Sequence, residues 1–112
     1  MPIDLDTFRD LEAAAGSEFV AELVDTFAEE APGLMAELAT ALAAGDAAGF
    51  RRAAHSLKSN GLTFGALALA GQARTLELAG PQADRAQDAA ALDALATALA
   101  EALAALQGLR HG

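Results

Sequence analysis

Ala53-Ala54-His55-Ser56-Leu57-Lys58-Ser59-Asn60-Gly61-Leu62-Thr63-Phe64-Gly65-Ala66 reads as one amphipathic helix closed by a glycine. With His55 placed at zero and about 100° per residue, Phe50, Ala53, Leu57, Gly61 and Phe64 fall on the opposite side as one apolar stripe. That stripe is expected to be buried and His55 to face water. Ala48, Arg51, Arg52, Lys58, Ser59, Leu62 and Ala66 lie within about 60° of His55. The histidine therefore has a mostly small and basic neighbourhood.

Outward from this stretch, glycines mark where helices should end. Asp4 or Asp6 can cap a short first helix carrying Leu5, Phe8 and Leu11, which stops near Gly16. Ser17 opens a longer segment with Phe19, Val20, Leu23, Val24, Phe27, Leu34, Leu38 and Leu42 on a broad apolar face. Pro32-Gly33 lies inside it, and a proline there predicts a kink or a restart. Gly45 ends that segment and Asp46 caps the helix of His55, which runs to about Phe64. Gly65 turns the chain into a helix near 66–79 with Leu67, Leu69, Leu76 and Leu78, and Gly80-Pro81 stops it. A last helix from about Asp84 to Gln107 carries Leu92, Leu95, Leu99, Leu103 and Leu106 on one stripe. Short connections make successive helices antiparallel neighbours. The predicted fold is all-α: an antiparallel up-and-down four-helix bundle with an additional short N-terminal helix, one domain over 1–112.

Composition agrees with this and narrows the function classes. Of 112 residues 54% are apolar but only 4% aromatic, and alanine and leucine dominate, which favours helix. The absence of cysteine excludes disulfides, thiolate metal sites and a cysteine nucleophile. Sixteen acidic against seven basic side chains give a formal charge of −9, a field that repels nucleic acid. Met1-Pro2-Ile3-Asp4 lacks the features of a signal peptide. The apolar stretch from about Ala89 to Leu109 is interrupted by Asp93, Glu101 and Gln107, so we expect a packed helix and no membrane span. A cytoplasmic protein is the expectation.

Chemistry concentrates at His55. Imidazole is a nucleophile near neutral pH. Lys58 and Ser59, at i+3 and i+4, share its helix face. A neighbouring cation favours the neutral, nucleophilic ring and would stabilise a phosphoryl group carried on it. Small side chains nearby leave room for a partner, and Leu62 could add apolar contact. Gly61, on the buried side, would let a neighbouring helix approach closely.

The run His55-Ser56-Leu57-Lys58, followed by Ser59 and Gly61 and then Gly65-Ala66, resembles the signature of histidine-containing phosphotransfer (HPt) domains. That signature is His-x-Leu-Lys-Gly with a second glycine ten residues after the histidine. Phe27-Ala28-Glu29-Glu30-Ala31-Pro32 followed by Leu34, Ala44-Gly45-Asp46, and Leu76-Glu77 ahead of Gly80 are also typical of the family. The resemblance implies that His55 is phosphorylated on Nε2, that Lys58 is the charge partner of the phosphoryl group, and that Gly65 is the turn glycine. Ser59 departs from the common glycine and could donate a hydrogen bond to a phosphoryl oxygen. Some members place a glutamine of the fourth helix near the phosphohistidine; here the counterpart is Glu77 or Gln72.

The implied function is a phosphoryl relay between aspartates of receiver domains, those of a response regulator and of a hybrid sensor histidine kinase. No cofactor belongs to this chain, the Mg²⁺ being brought by the receiver, and no metal-ligand spacing is present. No nucleotide-binding glycine loop and no His-Glu-x-x-x-Pro phosphoacceptor occur, so we expect a monomeric carrier without kinase activity of its own. The initiator Met favours a free-standing protein over a domain of a hybrid kinase. The rival reading is an HPt-like module that binds receiver or kinase domains without carrying phosphate. Asp25, Glu29 and Glu30 read as a solvated acidic face and His111 as a surface residue.

Overall fold

Left-handed glycines and carboxylate caps set the helix boundaries. Gly45 and Gly65 adopt positive φ (69° and 82°) at the ends of two helices, where their N–H groups meet carbonyls the helix leaves unpaired. Asp46 accepts from the Gly49 amide at 2.9 Å, and Asp84 accepts from Ala86 and Gln87. The computed structural model describes residues 1–110. Its five helices are α1 (Leu5–Ala15), α2 (Ser17–Ala44), α3 (Ala47–Phe64), α4 (Leu67–Ala79) and α5 (Arg85–Leu109), with no strand among the described residues.

Helices α2 to α5 close a ring. Each packs on its chain neighbours, and α5 returns to α2, giving the four-helix bundle expected from the short connections. α1 lies outside the ring, against α2 and α3. One core joins all five helices through Phe8, Phe27, Leu38, Phe50, Leu57, Phe64, Leu69, Leu95 and Leu106. Phe27 of α2 stacks on Phe64 of α3 with ring centroids 5.6 Å apart. Arg110, after α5, pairs with Asp25 of α2 at 2.8 Å, so Asp25 is not simply a solvated acid.

Several sequence expectations change. α2 runs unbroken through Pro32, with no restart. Pro32 and Gly33 are exposed, so the amide that Pro32 lacks leaves no unpaired group in the core. Asp4 occupies the cap position of α1, but its carboxylate accepts from the Thr7 hydroxyl at 2.5 Å and from no backbone amide. Phe19, Leu67 and Leu78, expected on apolar faces, are exposed. All three belong to helix edges that no neighbouring helix covers. His111 lies outside the described residues.

α5 is long and apolar enough to cross a membrane by length and composition. Its Leu95, Leu99, Ala102 and Leu106 are nevertheless built into the protein core.

Candidate functional site

α3 presents His55 as the helical wheel predicts. Phe50, Ala53, Leu57, Gly61 and Phe64 are all buried, and His55 keeps 57% of its side-chain surface exposed. Ala54 is buried as well, at the edge facing α4. Ala66 departs from the wheel. The helix ends at Phe64 and Gly65 turns the chain, which puts Ala66 in the core at the start of α4.

The antiparallel register of α3 and α4 determines what faces the histidine. At one end Gly61 lies against Ala70; a Cβ on Gly61 would come within 3.1 Å of Ala66 O and of Ala70 N and Cβ. At the other end the Arg51 guanidinium covers Gly80, so close that a Cβ there would stand 2.7 Å from its Nη2. Between these two contacts, Glu77 of α4 comes opposite His55 and Lys58. His55 Nδ1 is 2.6 Å from Glu77 Oε2, and Lys58 Nζ is 2.6 Å from Glu77 Oε1. The lysine and glutamate charges are thus in direct contact.

Of the two α4 candidates, Glu77 is the one in contact with His55. Gln72 precedes Glu77 by five residues, about 140° around the helix. It faces α5 in a small space lined by Leu69, Ala94, Thr97 and Ala98, away from His55.

The electrostatics follow from the contacts. Lys58 above all holds the Glu77 carboxyl below the ordinary carboxylate range; desolvation, the next largest effect, opposes it, and His55 adds to the lowering. An ionised carboxylate can only accept a hydrogen bond. The proton of a neutral His55 ring is therefore on Nδ1, and the lone pair is on Nε2, the nitrogen that faces away from Glu77. Contacts between exposed charges contribute little to stability. Their consequence here is orientation of the ring.

Around the ring, Arg51, Arg52, His55, Ser56 and Glu77 line a shallow concavity of about 430 Å³. The sequence reading named both arginines but missed Ser56, whose position about 100° from His55 excluded it from the wheel's near face. Its hydroxyl bonds back to the Arg52 carbonyl at 3.2 Å. Ser59 and Leu62 are exposed on the same helix beyond His55, with Leu62 at 53%. No group of three or more potential metal ligands occurs among the described residues.

A family model described as Hpt domain matches residues 22–108, from within α2 almost to the end of α5. Searches of curated proteins and of solved structures return no match. The match covers most of the four-helix ring and well over half of the chain, so the protein belongs to the Hpt domain family, which serves phosphotransfer in two-component systems.

Proposed function

We propose that this chain relays a phosphoryl group between receiver-domain aspartates through phosphohistidine at His55. One of the receivers belongs to a sensor kinase and the other to a response regulator. The observation that carries the reading is the ring geometry. An exposed imidazole has its Nδ1 2.6 Å from Glu77 Oε2, which leaves Nε2 as the nitrogen not engaged by that carboxylate. The Nε2 lone pair attacks the phosphorus of a receiver's acyl phosphate. The P–O bond breaks, and its electrons remain on the aspartate carboxylate. Such transfer depends mainly on positioning and charge neutralisation.

Lys58 supplies charge beside the ring, and Arg51 and Arg52 extend the basic surface toward the incoming group. Ser59 and Leu62 offer a hydroxyl and an apolar contact to the docked receiver. The receiver contributes the Mg²⁺, and this chain acts as a monomeric cytoplasmic carrier. Incubation with a phosphorylated cognate receiver should label the wild-type protein and not His55→Gln. Equal labelling of His55→Gln would place the acceptor elsewhere. A wild-type protein that binds receivers but never takes label would leave only an interaction module.

A further inference from the structure

We infer that Arg51 is the cation that grips the phosphoryl group on His55, and that packing on the backbone of Gly80 holds it ready to do so. The inference rests on the relay reading and names a further residue of that site.

The distribution of charge singles out Arg51. A transferred phosphoryl group brings about two negative charges to the ring near neutral pH. Lys58 already meets a carboxylate, its Nζ lying 2.6 Å from Glu77 Oε1. Arg51 makes no ion pair among the described residues. It stands one turn before His55, about 40° around the helix and on the same side as Lys58, toward α4. Arg52 lies about 60° the other way. There it lines a second concavity with Glu37 of α2 and Asp46, so its charge is divided between two faces.

Gly80 fixes the place of the Arg51 charge. A Cβ on Gly80 would stand 2.7 Å from Arg51 Nη2, 3.0 Å from Nε and 3.1 Å from Cζ, so the guanidinium lies across the glycine backbone. Gly80 is buried and ends α4 with a φ of 68°. Any side chain at this position would take the space of the guanidinium. Packing of this kind orders a long side chain without neutralising it, in contrast to the pairing of Lys58. The N–H donors of a guanidinium form a planar fork that matches two oxygens of a phosphoryl group. The contact is non-covalent. Arg51 donates hydrogen bonds and keeps its protons, while bond making and breaking stay at Nε2 and phosphorus.

Phosphoramidate, a small donor that needs no docked receiver, separates a grip on the phosphoryl group from recognition of a partner protein. The full chain is incubated with it as wild type, Arg51→Gln, Arg51→Lys and Arg52→Gln, and ³¹P NMR follows the formation of phosphohistidine. Side-chain ¹⁵N–¹H spectra of the arginines are recorded before and after loading. In the unloaded wild type, NOEs between the Arg51 side chain and the Gly80 Hα should report the packing. On loading, the Arg51 Nε–H signal should shift, and that of Arg52 should shift less. Arg51→Gln should form phosphohistidine about tenfold more slowly than wild type. Arg51→Lys should recover only part of that loss, because a point charge lacks the fork. Arg52→Gln removes the same charge one residue away and should slow the reaction by only about twofold. Missing NOEs, equal slowing by Arg51→Gln and Arg52→Gln, or an Arg51 signal unmoved by loading would each overturn the inference and leave the relay standing. A wild-type chain that takes no phosphate on His55 would remove the relay reading, and the inference with it.

Discussion

At the scale of single residues, three side chains form a chain of contacts: the His55 ring, the Glu77 carboxylate and the Lys58 ammonium. Lys58 is the largest cause of the depressed Glu77 titration. Lys58→Ala is expected to leave the fold intact, slow transfer or shorten the phosphohistidine's lifetime, and move the Glu77 titration upward, toward the ordinary carboxylate range. Carbon-detected NMR of the Glu77 carboxyl checks the last point, and an unmoved titration would make the lysine's charge incidental. The sign for pH follows. A carboxyl depressed in the folded state contributes above its unfolded pKa, and that contribution is lost as pH falls through the lower folded value. The His55–Glu77–Lys58 contacts should therefore persist at neutral pH and open only below the ordinary carboxylate range, as ¹⁵N spectra of the His55 ring would show. His55 and Lys58 were legible in the sequence because both lie on one helix, where spacing alone gives proximity. Glu77 was legible only as one of two α4 candidates offered by the family resemblance, because its distance from His55 depends on how α4 lies on α3.

At the scale of elements, that register is set by close approach. Gly61 admits α4 to within contact of α3, and Gly65 makes the turn between them while its carbonyl accepts from the Asp4 amide at 2.7 Å. A Cβ on Gly65 would also press on Asp4 O at 2.8 Å, apart from the strain of its positive φ. Gly61→Ala sets two effects against each other. Alanine gains about 1 kcal/mol of helix propensity, but its methyl would meet α4 backbone, and overpacking costs about 1–3 kcal/mol. The expected net result is a destabilisation of about 1 kcal/mol in urea unfolding, accompanied by displaced His55 ring signals as Glu77 is pushed away. Leu57→Ala, from the middle of the buried stripe, should cost about 2–5 kcal/mol while leaving the exposed face of α3 chemically unchanged. The wheel read α3 correctly because two neighbours cover a continuous stripe. It failed for Phe19, Leu67 and Leu78 because periodicity identifies an apolar side chain but not whether a neighbouring helix reaches it. Pro32 causes no restart for a related reason: the helix continues where only solvent faces the missing amide.

At the scale of the whole molecule, the charge is uneven. The chain carries −9 overall, yet four of its seven cations, Arg51, Arg52, Lys58 and Arg74, belong to α3 and α4. A negatively charged acyl phosphate approaching at random meets repulsion, and one approaching the His55 face meets locally opposite charge. Arg51→Gln/Arg52→Gln should therefore slow association with a phosphorylated receiver by about tenfold at low salt, and less at high salt, where screening shortens the reach of both charges. Stopped-flow rates at two ionic strengths would check this; a loss that does not depend on salt would point to direct contact instead.

The α3–α4 pairing has one more consequence. Everything lining the concavity, from Arg51 through His55 and Ser56 to Glu77, sits on one uninterrupted piece of chain folded back on itself at Gly65. Gene fusions, insertions and domain shuffling that cut before Arg51 or after Gly80 leave that piece covalently whole. The reactive hairpin is thus a single cassette of sequence, held in place by the core it shares with α2 and α5.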